Sequence, residues 1–155
     1  MILRGTELKG RSGHEAAWAL LQAMYQEETG EKMPPICYAD RGKPYFEGSP
    51  WHFSLTHTPR HAFAALSRTP IGIDAEERSR QLNPQLARRI LSDSEYAQYM
   101  SAEDRNLCLL SFWVLKEAAA KRTGQGLTGF PNQTHFTLPS PHLHQLQGCL
   151  VAVFN

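Results

Sequence analysis

The sequence predicts an α+β domain of short antiparallel strands packed on a long helix. Three observations carry this reading. Period-two alternation clusters between residues 51 and 76, helical spacing dominates from about 84 to 123, and strand-like runs return in the tail. Strands and helices grouped in blocks, rather than alternating singly, favour α+β over a wound parallel sheet. A chain of 155 residues can bury a real core as one domain, so residues 1–155 are read as a single unit.

Each element follows from local pattern. From His14 to about Thr29, Ala17, Leu20, Leu21, Met24 and Tyr25 recur at helical spacing, and Gly30 supplies a stop. Pro34-Pro35 breaks the chain before a short strand at Ile36 to Tyr38 and a turn-rich stretch, DRGKPYFEGSP. WHFSLTH then alternates, with Trp51, Phe53 and Leu55 on one side and His52, Ser54 and Thr56 on the other. HAFAALS and IGIDAE follow, split by a turn at Arg68-Thr69-Pro70, so a meander of three short strands is expected. Asn83-Pro84 reads as a helix start, with the helix running to Ile90. Ser92 and Glu95 have capping-box spacing and open a further short helix. The longest helical pattern runs from about Ala102 to Thr123 and ends at Gly124. THFTL and CLVAVF are read as returning strands.

Composition narrows the partners. The formal net charge of +1 gives no global basic field, so neither nucleic acid nor an anionic membrane is expected as a partner. No run approaches the roughly 18 apolar residues of a membrane span, and MILRGTELKGRSG has no signal-peptide core. The three cysteines, Cys37, Cys108 and Cys149, are odd in number, far apart and without a CxxC pair. They suggest neither a disulfide framework nor a zinc knuckle, and a reducing cytoplasmic setting is expected. His142 and His144 would share a strand face, but no zinc pattern accompanies them.

The stretch IGIDAEE, residues 71–77, carries the chemistry. Alternation puts Ile71, Ile73 and Ala75 on a core face, and Gly72, Asp74 and Glu76 on the other. Gly72 is expected to leave that second face open, and Glu77 is read as a solvated acid. Neighbouring carboxylates repel unless water or a cation separates them. In FWVLKEAAAKRTGQGL, residues 112–127, Trp113, Glu117 and Lys121 fall at i, i+4 and i+8 and form one stripe. Alone, that stripe could be a core tryptophan beside a surface ion pair. With Asp74 and Glu76, Glu117 would make three carboxylates for one hard cation, and Mg²⁺ prefers such oxygen ligands. Lys121, one turn from Glu117, could then meet a phosphate oxygen.

These motifs, in this order, resemble the signature pair of the 4′-phosphopantetheinyl transferases: GIDAE, then FWVLKEAAAK followed by GQGL. RGKPYF and WHFSLTHTPRHAFAALS resemble two further elements of the family upstream, and the resemblance spans roughly residues 14 to 138. It implies a Mg²⁺-dependent transfer of 4′-phosphopantetheine from coenzyme A to a serine of an apo acyl or peptidyl carrier protein. Such a reaction serves fatty acid, polyketide or nonribosomal peptide biosynthesis. It implies that Asp74, Glu76 and Glu117 hold the metal, that Glu117 deprotonates the serine, and that Lys121 contacts the reacting phosphate. It further implies Thr56 and His57 at a phosphate of the nucleotide part and Lys43 near the adenosine. Family members often carry a basic residue for the 3′-phosphate at the first helix, where this chain has Arg11 and His14. Both upstream and downstream motifs are present, so pseudo-two-fold halves of about 1–69 and 70–155 in a monomer are expected, the first half being short for the family. Arg88 and Arg89 offer a docking patch for an acidic carrier. Two rival readings accompany this one: an inactive homologue that binds carrier or nucleotide, and a Mg²⁺-dependent nucleotide-diphosphate hydrolase.

Overall fold

The computed structural model describes residues 1–124, 126 and 134–155. Its element order is β1 (Ile2–Glu7), α1 (Gly13–Thr29), β2 (Ile36–Tyr38), β3 (Pro44–Phe46), β4 (His52–His57), β5 (His61–Ser67) and β6 (Gly72–Glu77). There follow α2 (Gln85–Ile90), α3 (Asp93–Ser101), α4 (Arg105–Thr123), β7 (Leu143–Leu146) and β8 (Cys149–Phe154). The α+β class and the antiparallel strands agree with the sequence reading.

The predicted meander does not form. β4 and β5 pair as a hairpin, but β1 takes the other edge of β5, giving the order β1-β5-β4. β6 leaves that sheet and pairs with β8, far away in sequence, in a second sheet ordered β6-β8-β7. β2 and β3 form a separate small hairpin within the turn-rich stretch. THFTL is not a strand either. Its backbone bonds to side chains of α3 instead of to a ladder: the Phe136 amide donates to Glu95 (2.8 Å) and the Leu138 amide to Gln98 (3.2 Å).

Alternation along β5 joins the layers. Ala64 and Leu66 meet Leu21, Met24 and Tyr25 of α1, while Ala62 meets Ala16 and Ala17. On the opposite face Phe63 and Ala65 pack against Ile71, just before β6, and against Ile73, Ala75, Val151 and Val153 of the second sheet. That sheet buries its outer face under α4, whose Leu110, Val114, Leu115 and Ala118 pack on Leu150 and Ala152. Both helix ends carry the signals the sequence advertises. Gly30 and Gly124 take φ of 74° and 72° at the C-caps of α1 and α4, a left-handed region open to glycine at no steric cost.

β4 also lies against β6, joined by side-chain hydroxyls. Ser54 Oγ accepts from the Ile73 amide at 3.0 Å, and Thr56 Oγ1 donates to Asp74 Oδ1 at 3.1 Å. Thr58 Oγ1, just past the strand, donates to Glu77 Oε1 at 3.3 Å. All three residues are buried, where an unsatisfied hydroxyl is costly. The hydroxyl face of β4 is therefore the seam between the two sheets.

Candidate active site

β6 and α4 supply the charged residues of the site, and β4 lines it beside them. β6 presents Asp74 and Glu76 on the face turned towards α4, as alternation requires, while Ile73 and Ala75 enter the core. Gly72 does not leave that face open. A Cβ there would lie 2.1 Å from the Ala118 carbonyl oxygen and 2.2 Å from the Arg122 nitrogen. The absent side chain instead lets the α4 backbone lie directly on β6. Asp104 caps α4 by accepting from the Leu107 amide, and Gly124 ends it. The intervening turns bring Trp113, Glu117 and Lys121 to the same side.

The result is a cleft of about 360 Å³ lined by Leu55, Thr56, His57, Asp74, Glu76, Trp113, Glu117 and Lys121. Asp74 is buried and accepts two bonds on Oδ1, from Lys121 Nζ at 2.7 Å and from Thr56 at 3.1 Å. Glu76 pairs with Arg80 and lines the cleft together with Trp113. Burial raises its proton affinity, which Arg80 opposes and Asp74 reinforces. Glu117 is likewise raised, by burial first and then by Asp74, against the opposing field of Lys121. Such crowding of partly desolvated carboxylates is what a hard cation relieves, and the donors are all oxygen. Among the described residues, however, no three His, Cys, Asp or Glu already stand as a metal-ligand group. The counter-charges in place are the side chains of Lys121 and Arg80.

Lys43, Thr56 and His57 reach the site in different ways. The Lys43 ammonium donates to the carbonyls of Arg122 (2.6 Å) and Ile71 (3.3 Å), closing the α4 C-terminus onto the start of β6. Its stem lines an adjoining cleft of about 270 Å³ with Arg41, Pro44, Phe53, Glu117 and Lys121. Burial pushes the Lys43 ammonium below its ordinary pKa. The Thr56 hydroxyl is committed to Asp74. The His57 ring lies against Gly13, where a Cβ would come within 2.4 Å of it, so the start of α1 forms one wall beside the cleft.

Other readings are corrected or extended. Glu77 is not simply solvated, because Arg60 grips it with Nε at 2.9 and 3.0 Å and Nη2 at 2.8 Å, and Thr58 adds a bond. Lys116, next to Glu117, is turned away from the cleft and buried against Glu95 at 2.9 Å. Arg88 lies over the Tyr96 ring at 3.8 Å. His142 stacks on Phe154 and shares a hydrogen bond with the Val153 carbonyl. Arg80 was missed by sequence reasoning. It follows Glu76 by four residues, but a strand followed by a turn gives that spacing no meaning in advance.

Comparison with known proteins places these residues in context. The family model described as the 4′-phosphopantetheinyl transferase superfamily matches residues 70–148. The 4′-phosphopantetheinyl transferase psf-1 of Bacillus pumilus is 34% identical over 90 residues, covering 56% of this chain and 38% of that protein. The 4′-phosphopantetheinyl transferase gsp of Aneurinibacillus migulanus is 29% identical over 89 residues, covering 56% of this chain and 36% of that protein. The match thus takes in little over a third of either relative's length. The crystal structure of Thermotoga maritima holo-[acyl-carrier-protein] synthase aligns with 26% identity and a TM-score of 0.45, over 55% of this chain and 61% of that one.

Proposed function

Because this chain belongs to the 4′-phosphopantetheinyl transferase superfamily, we propose that it transfers 4′-phosphopantetheine from coenzyme A to a serine of an acyl or peptidyl carrier protein, with Mg²⁺. The observation that carries the proposal is the shared cleft of Asp74, Glu76, Glu117 and Lys121 where β6 meets α4. The serine Oγ forms a bond to the phosphorus bearing the pantetheine arm. The bond from that phosphorus to the bridging oxygen breaks, and 3′,5′-ADP leaves. Glu117 takes the serine proton; its raised proton affinity suits a general base better than an ordinary carboxylate. Lys121 neutralises charge on the departing phosphate. Asp74, Glu76 and Glu117 would hold Mg²⁺, which supplies charge neutralisation at the diphosphate. Thr56 supports Asp74, His57 meets a phosphate of the nucleotide, and the cleft beside Lys43 receives the adenosine. The whole chain acts as one monomeric unit in the cytoplasm, with pseudo-halves of about 1–69 and 70–155.

The test is direct. The protein is incubated with coenzyme A, Mg²⁺ and an apo carrier protein, and the intact carrier is weighed. A gain of one phosphopantetheine arm is the expected result. Cleaved coenzyme A with an unmodified carrier would favour a hydrolase, and binding without product an inactive homologue. No helix among the described residues is long and apolar enough to cross a membrane.

A further inference from the structure

We infer that Arg80 is a displaceable counter-cation which competes with the divalent metal for Glu76, so that metal loading exchanges a side-chain charge for an ionic one. The inference rests on the metal-site reading above. Glu76 pairs with Arg80, and the Arg80 field also reaches Glu117. Lys121 stands in the same relation to Asp74 and Glu117. Three carboxylates therefore face two monovalent side-chain cations, which together carry the charge of one divalent ion. The cleft is neutralised internally to the same degree that a metal would achieve.

The geometry separates the anchored part of Arg80 from the movable part. Its amide donates to the Glu77 carbonyl at 2.9 Å, and its carbonyl accepts from Asn106 Nδ2 at 2.8 Å. Asn106, on α4, also accepts from the Leu82 amide at 3.0 Å. The backbone of this turn is thus tied to the same helix that carries Glu117. The side chain is 45% exposed, against 14% for Glu76, so the guanidinium can swing fully into water while the carboxylate stays. A ligand that must displace a resident group binds with an affinity reduced by the fraction of molecules in which the site is free.

Mn²⁺ binding followed by electron paramagnetic resonance, without coenzyme A or carrier, tests the exchange. Arg80→Gln should bind Mn²⁺ more tightly than the wild type, by up to about fivefold, the upper end for losing one partly exposed ion pair. Arg80→Lys keeps the charge and should bind like the wild type. Equal or weaker Mn²⁺ binding by Arg80→Gln, with its circular dichroism and melting curve unchanged, would overturn the inference. Asp74→Asn separates this failure from that of the metal site itself. If wild type binds Mn²⁺ and Asp74→Asn does not, the site stands whatever Arg80 does. If neither binds, both readings fall.

Discussion

Two lysine–carboxylate pairs on α4 sit five positions apart and have opposite characters. Lys116 and Glu95 are sealed, with side-chain exposures of 1% and 0%. Glu95 also accepts from the amides of Ser92 and Phe136, and Lys116 donates to the Thr134 carbonyl. Lys121 and Asp74 have exposures of 35% and 9%, and the bonds to Asp74 from Lys121 and Thr56 both fall on Oδ1. A buried pair with its bonding groups engaged on several elements ties α3, α4 and the 134–136 segment together. An open pair beside two more carboxylates can change partners. One motif, KEAAAK, thus splits into a sealed lysine and one facing the cleft, because helical positions five apart point about 140° apart.

The largest expected effect breaks the sealed pair. Glu95→Ala strands the Lys116 ammonium in the interior and removes the acceptor of two backbone amides. The loss should be about 3–5 kcal/mol of folding stability, measured by urea or thermal unfolding. A variant as stable as the wild type would erase the distinction between the pairs. Asp74→Asn tests the other side. Carrier modification, followed by intact mass, should fall by about 10²–10³-fold, while stability changes by no more than ~1 kcal/mol. The amide can still accept from Thr56, and Lys121 can turn to water. Unfolding of this variant would make Asp74 structural. A smaller effect comes from Gly72→Ala, whose methyl meets the α4 backbone at 2.1–2.2 Å. Overpacking of this kind costs about 1–3 kcal/mol. It should also lower turnover, because α4 carries Glu117 and Lys121 and must shift away from Asp74.

The same contrast explains what the sequence could and could not disclose. Local rules reached α4, the capping-box start of α3 and the two faces of β6. The Ser92–Glu95 box is present in full, although the equivalent Ser12–Glu15 box at α1 went unread. Motif spacing also brought Asp74, Glu76, Glu117 and Lys121 to one place. Partner choice was illegible. Nothing near residues 70–77 says that β6 pairs with Cys149–Phe154 rather than with β5. That preference arises from packing Ile73 and Ala75 against Phe63 on one side while α4 covers Gly72 on the other. Lys116 was equally opaque, since a charged residue on a helix reads as solvated until a buried acid is found for it. THFTL fails as a strand for a related reason: Glu95 and Gln98 take the amides that a ladder would have used.

The smallest effect reports the tension inside the open cleft. Burial, and then Asp74, hold the Glu117 carboxyl above its ordinary pKa. A carboxyl with a raised folded pKa binds more protons folded than unfolded between the two values. Stability must therefore fall as pH rises through that window, and the cost vanishes below the unfolded value. With a chelator present, Glu117→Gln should melt above the wild type at about pH 7, on the alkaline side of the ordinary value. The two curves should converge below the ordinary value of 4.5. Adding Mg²⁺ in place of the chelator should reverse the order at neutral pH, because a metal that binds only the folded state stabilises the chain able to hold it. A variant that stays above the wild type in both conditions would mean that Glu117 carries its charge cost without serving the cation. One that never rises above it would mean that water already relieves the three carboxylates.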